Sequence, residues 1–147
     1  MTAHVSRTAY VAASRRAVWL TLADFGALST WADGVDHSAL LTSEPVGMSA
    51  VRRVQVGRNA LRETVVIWEP HVRLSYAITG LPPVVRSAIN TWTLADEGVG
   101  TRVTLSSAVL VLRPPVVGRL VARRLGSASD GLLAGLTRYH SLQEDRS

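Results

Sequence analysis

The sequence predicts an α+β fold: a curved antiparallel sheet of about seven strands, two short helices after the first strand, and a long C-terminal helix across the concave face. Three observations predict it. Between residues 35 and 109, apolar and polar residues alternate in segments parted by short turn signals, as in hairpin-linked strands. Past Pro114-Pro115, Val117, Leu120, Val121, Leu125, Ala128, Leu132, Leu136 and Tyr139 recur at three- and four-residue steps, the period of a helix with one buried face. Near the start, the stretch VWLTLADFGALSTW has helical spacing but is interrupted at Asp24 and Gly26, so it reads as two short helices.

The elements follow in order. Residues 4–12 read as a strand. Ser14 is placed to cap a helix over 15–23 with Val18, Trp19 and Leu22 as its apolar face, because a serine hydroxyl accepts from the free amides of a first turn. A shorter helix over 25–31 ends before the Asp33-Gly34 turn. Such a broken pair plugs one end of a curved sheet where a straight helix would overshoot. Strands are expected over 35–42, 50–56, 61–68, 74–79, 88–94 and 101–109. Pro45 and Gly47, Gly57-Arg58-Asn59-Ala60, Glu69-Pro70-His71-Val72 and Asp96-Glu97-Gly98-Val99-Gly100 separate them, and connections this short favour an antiparallel meander. Pro115 suits the first turn of the last helix, which reaches to about residue 143.

Composition narrows the function classes. With 147 residues, 47% hydrophobic and 18% charged, the chain is expected to form one domain over residues 1–147 rather than a disordered segment. No apolar run reaches the roughly 18 residues of a membrane span, and cysteine is absent, so a cytoplasmic protein without disulfide or thiolate chemistry is expected. No nucleophile elbow, dinucleotide fingerprint or phosphate-binding loop occurs, and no cofactor is expected. His4, His37, His71 and His140 fall at no zinc-ligand spacing; Asp33, Asp36 and His37 read as a crowded turn, so no metal is expected. The net charge of +5 is carried by arginine alone. Arg113, Arg119, Arg123 and Arg124 cluster around the last helix, read as a solvated face, with docking to an anionic membrane or a protein partner as the alternative. With a single Phe and no interleaving of basic and aromatic residues, nucleic acid is not an expected partner.

Strand side chains alternate between faces, so register predicts the lining of the sheet. A tight turn at Arg58-Asn59 pairs Val56 with Leu61 and Val54 with Glu63; the Pro70-His71 turn pairs Ile67 with Leu74 and Val65 with Tyr76. Pairing Leu94 with Val103 continues the inner face through Asn90, Trp92, Leu105 and Ser107. That face carries Arg52, Val54, Val56, Leu61, Glu63, Val65, Ile67, Leu74, Tyr76 and Ile78. The outer face carries Arg53, Gln55, Arg62, Thr64, Arg73, Ser75, Thr79, Arg102 and Thr104, with Trp68 as its apolar exception. Arg52 lies diagonally from Glu63, within ion-pair reach. Either a structural bridge or a polar anchor for a ligand fits them, since a lone buried charge would cost several kcal/mol. Asn90 and Ser107 can satisfy each other. Trp31, Tyr76 and Trp92 serve as core fillers or ligand platforms.

The order of elements, with AVWLTLADFGALSTWADGV, ETVVIWEP, LSYAITGLPP and GTRVTL, resembles the SRPBCC superfamily. This is the helix-grip group of START and birch-pollen-allergen proteins, including bacterial polyketide cyclase/dehydrase-like members. The likeness covers nearly the whole chain. It implies a sheet gripping the last helix around an apolar cavity that takes a hydrophobic small molecule such as a lipid or polyketide.

On that reading Leu81 and Pro82 belong to a lid over the cavity mouth, facing Trp31 and Leu132, Leu133 and Leu136. Val65, Ile78, Trp92 and Leu105 join Arg52, Glu63, Tyr76 and Asn90 in the lining. Gly131 and Gly135 either leave room for ligand or mark a bend in the helix. An aromatase/cyclase is the enzymatic alternative: Arg52 holds a carbonyl oxygen, Glu63 or Tyr76 moves protons and Asn90 positions. An interaction module acting through the basic last helix is the third reading.

Overall fold

The computed structural model describes residues 2–112 and 115–145; Arg113 and Pro114 lie outside them. The chain runs β1 (Thr2–Val11), α1 (Arg15–Ala23), a 3-10 helix (Phe25–Thr30), β2 (His37–Leu40), β3 (Val51–Val56), β4 (Asn59–Glu69), β5 (Arg73–Thr79), β6 (Val85–Glu97), β7 (Gly100–Val111) and α2 (Pro115–Asp145). All seven strands join one antiparallel sheet in the order β1-β7-β6-β5-β4-β3-β2. The strand closing this order opposite β2 is β1, and α2 packs on β1 and β7. The architecture is the helix-grip arrangement.

Local chemistry sets the first elements. Ser14 Oγ accepts from Ala17 N at 3.1 Å, which caps α1, and Val18, Trp19 and Leu22 are buried on its inner face. At Asp24 the backbone leaves helical angles (φ −76°, ψ 69°), so the helix breaks there and the tighter 3-10 turn buries Phe25 and Leu28.

Register departs from expectation at two places. The turn between β3 and β4 is Gly57-Arg58, with Gly57 at φ +58°, so Val56 pairs with Asn59, Val54 with Leu61 and Arg52 with Glu63. The shift is two residues, an even number, so every side chain keeps its predicted face, and Arg52 stands directly opposite Glu63 rather than diagonal to it. Between β4 and β5 a bulge at Val65/Ile67 changes the parity: Val65 still pairs with Tyr76, but Ile67 pairs with Ser75 and Trp68 with Leu74. Trp68 therefore turns inward, its ring 5.1 Å from that of Trp19, and Ile67 joins the outer face. Ser75 is on that outer face yet buried, donating to Asn90 O at 3.1 Å beside Thr91 Oγ1 at 2.8 Å.

The core has two parts. The larger gathers α1, the 3-10 helix, the inner face of the sheet and the second half of α2, including Trp31, Val65, Trp92, Leu105, Leu133 and Leu136. The smaller gathers Ala88, Val109 and Val111 under Val84, Val85, Val117 and Val121. The α2 glycines explain how the helix docks. A Cβ at Gly135 would collide with the Trp31 carbonyl and stand 3.0 Å from Asp33 N; one at Gly126 would stand 2.6 Å from an Arg7 guanidinium nitrogen. Those two glycines make room for the protein's own backbone and Arg7, and α2 runs through them as one helix. Arg138 holds Asp33 with both terminal guanidinium nitrogens, and Arg7 pairs with Asp130 at 3.2 Å. His140 is buried, its Nε2 3.0 Å from Thr21 Oγ1, which ties α2 to α1.

Two outcomes follow. Gly135→Ala should destabilise the protein by about 1–3 kcal/mol through overpacking against backbone. Gly131→Ala, where the nearest atom is 3.4 Å from the new Cβ, should be neutral or stabilising by up to about 1 kcal/mol through helix propensity; thermal denaturation of both variants checks the pair. Burial pushes the His140 imidazole below the ordinary histidine value, so the folded state keeps it neutral. The unfolded chain binds the extra proton, so this contribution is complete above about pH 6.5 and lost as pH falls below it. Urea denaturation at pH 7.5 and 5.5 should show that loss in the native protein and a smaller one in His140→Gln.

Candidate functional site

A cavity of about 540 Å³ opens between the middle of α2, residues 33–35, the β3–β4 hairpin and the loop after β5. Small side chains border it on both sides, Ala88 on β6 and Ser127, Ala128 and Gly131 on α2, and bulkier residues at these positions would fill it. Buried Val54 and half-buried Leu61, Ile78 and Leu132 form its deeper apolar wall. Exposed Val56, Asn59, Gly80, Pro82, Ser127 and Ala128 form the mouth.

Three buried polar residues reach the wall: Glu63, Tyr76 and Asn90. Glu63 faces β3 and accepts from Arg52 Nε at 2.7 Å, with the two side chains only 7% and 3% exposed. Arg52 also donates to Phe25 O at 3.0 Å, and its guanidinium carbon lies 3.8 Å from the Phe25 ring centre and 4.6 Å from that of Tyr76. The cation is enclosed by a carboxylate, a carbonyl and two aromatic faces. Arg52 itself is not in the cavity wall.

The second polar group is a relay across β5, β6 and β7. Ser107 Oγ donates to Asn90 Oδ1 at 2.6 Å, which turns the Asn90 amide nitrogen toward Tyr76 Oη at 3.5 Å; Trp92 Nε1 donates to the same oxygen at 3.2 Å. Tyr76 Oη accepts both bonds, and among the described residues nothing takes its own proton. Burial, reinforced by the Glu63 charge, pushes the Tyr76 phenol above its ordinary value, so the hydroxyl stays protonated and serves as a donor. The cavity thus offers a carboxylate, a neutral hydroxyl and the Asn90 amide on a mainly apolar inner wall.

The comparisons with known proteins agree with this architecture. Residues 2–141 match the family described as polyketide cyclase / dehydrase and lipid transport. The chain belongs to that family. The Zhui aromatase/cyclase from Streptomyces sp. R1128 superposes with a TM-score of 0.80 at 18% identity, over 96% of this chain and 94% of that one. A START superfamily protein from Mycobacterium smegmatis gives 0.80 at 19% identity, over 95% and 98%. Ara h 8.0201 gives 0.74 at 10% identity, over 95% and 97%. At these identities the likeness establishes the shared fold. No curated protein sequence matches the chain.

Within this polyketide cyclase/dehydrase family member, the structure brings Glu63, Tyr76, Ile78, Leu81, Pro82, Asn90 and Leu132 of the expected residues to one cavity. Trp31, Arg52, Val65, Trp92, Leu105, Leu133 and Leu136 do not line it. Val65, Trp92, Leu105, Leu133 and Leu136 are packed in the core, and Arg52 stands behind Glu63. Trp31 packs edge-on against Trp92 at 5.9 Å, and its buried Nε1 lacks a partner among the described residues. Asp33 lines the mouth but is taken by Arg138, which holds its carboxyl below the usual range, and Asp36 accepts from Gly57 N at 2.7 Å. Gly131, expected either to leave room for ligand or to mark a bend, does border the cavity, whereas the space at Gly135 is filled by the Trp31 backbone. Leu125 and Ala128 were not singled out as wall, although small residues at three- and four-residue spacing inside an apolar stripe were the signal.

Glu63→Ala should cost about 3–5 kcal/mol, because it leaves Arg52 buried without a counter-charge. Replacing both, as in Arg52→Met with Glu63→Leu, should recover most of that loss. Denaturant titration of the two variants checks the difference.

Proposed function

We propose that this protein binds a hydrophobic small molecule, lipid- or polyketide-like, in the cavity between sheet and α2. The observation that carries this is a 540 Å³ space with a mainly apolar wall and few polar groups, within the size range of small-molecule sites. Burial of apolar ligand area supplies about 25 cal/mol per Å², which favours any hydrophobe that fits and does little to choose among them. Selection then falls to Tyr76, which offers a proton to a carbonyl or hydroxyl oxygen, and to Glu63, which accepts from a ligand hydroxyl. Among the described residues no helix is long and apolar enough to cross a membrane.

The family match also supports a second reading, an aromatase/cyclase. The observation favouring it is the Glu63 carboxylate in the wall facing the cavity that Tyr76 shares, a base and a donor for enolisation of a β-keto chain. Arg52 stands behind Glu63 and does not line the cavity, so it acts in that scheme only through Glu63.

Native mass spectrometry of the purified protein should show a co-purifying hydrophobe lost in Ala128→Trp, which fills the mouth from an exposed position and leaves both cores intact. Recovery of that compound unchanged after incubation supports binding; its recovery as a dehydrated, cyclised product supports the second reading. An unchanged load in Ala128→Trp would place the ligand elsewhere.

A further inference from the structure

Charge is distributed unevenly between the cavity's interior and its mouth. The interior holds the carboxylate of Glu63, while Arg52, the cation beside it, is spent on Glu63 Oε1 and the Phe25 carbonyl and does not reach the wall. An anionic group pushed into the interior would meet a like charge and apolar side chains, and would lose its water without compensation. At the mouth the position is reversed. Arg58 occupies the β3–β4 turn between Val56 and Asn59, which both line the opening. Arg124 precedes Ser127, Ala128 and Gly131 by three, four and seven residues, so it shares their face of α2 one turn nearer the helix start.

Both arginines are exposed, and neither pairs with an acidic side chain among the described residues. Arg16, Arg53, Arg62, Arg86, Arg119 and Arg123 are likewise exposed without an acidic partner among those residues, so what distinguishes Arg58 and Arg124 is their place next to residues that line the opening. Asp33, the acid that lines the mouth, is paired with Arg138; Asp36, which does not line it, accepts from the Gly57 amide.

We propose that the ligand is an anionic amphiphile, bound with its apolar body in the cavity and its acidic group at the mouth against Arg58 and Arg124. This rests on the cavity-binding reading and adds the ligand's charge and orientation. The rim supplies the counter-charge in water, where it needs no desolvation, and Glu63 inside rejects the reversed pose.

A matched pair of fluorescent probes tests it: 1-anilinonaphthalene-8-sulfonate and its neutral counterpart N-phenyl-1-naphthylamine. Arg58→Gln and Arg124→Gln should each weaken the sulfonate by roughly two- to fivefold and leave the neutral probe unchanged. Raising the salt concentration should weaken the sulfonate alone. Arg102→Gln, whose arginine pairs with Glu97, should change neither. Dodecanoate or dodecyl phosphate should displace the neutral probe at concentrations where dodecanol does not, and their relative strength tells which acid the mouth takes. If the neutral probe binds but the arginine variants leave the sulfonate unaffected, or weaken both probes alike, the anionic-ligand inference is overturned and the cavity reading stands. If neither probe binds the native protein, both fall.

Discussion

The ion pair between Arg52 and Glu63 is the constraint on which the site's arrangement depends. A guanidinium and a carboxylate this deeply buried are tolerable only when each finds its counter-charge and most of its hydrogen bonds nearby. Arg52 meets that demand with Glu63 across the β3–β4 ladder, with the Phe25 carbonyl from the 3-10 helix, and with the rings of Phe25 and Tyr76. One side chain thus fixes the strand register, the seat of the broken helix and the ring of β5 against each other. The break at Asp24 acquires its purpose here, since a helix continuing through Phe25 would have committed that carbonyl to its own ladder.

From that anchor the cavity's polarity follows. Because Arg52 is enclosed, only Glu63 shows at the wall, and the interior presents an acceptor where the pair alone would be neutral. The Ser107–Asn90–Tyr76 relay, closed by Trp92, leaves the hydroxyl proton of a residue that lines the same space without a partner among the described residues. Both groups are held by strands in a continuous sheet, a rigid support for recognition. The opposite wall is the middle of α2, between a second half clamped to residues 31–33 through Gly135 and Arg138 and a first half whose Val117 and Val121 pack on the smaller core. The void lies between those two packed stretches, where Ser127, Ala128 and Gly131 border it.

Much of this was legible beforehand, and the exceptions are instructive. The inner-face assignment of Arg52, Glu63, Tyr76 and Asn90 survived a two-residue error in the β3–β4 turn because side-chain direction depends only on parity. The same logic failed at Trp68 and Ile67, where a single bulged residue reversed the parity and nothing in ETVVIWEP announces it. Leu133 and Leu136 belong to the same apolar stretch of α2 as Leu132, yet they pack in the core while Leu132 borders the cavity, and the local pattern does not separate them.

The sequence by itself determined the element order, the faces of the strands and the presence of charged residues on an apolar face, because these depend on periodicity and short-range chemistry. Only the tertiary structure decided which inward residues touch one another and which border empty space. A cavity is the place where packing stops. It results from the distance between α2 and the sheet, set by Gly135 and Gly126 and by small residues far apart in sequence, and no local pattern encodes such a distance.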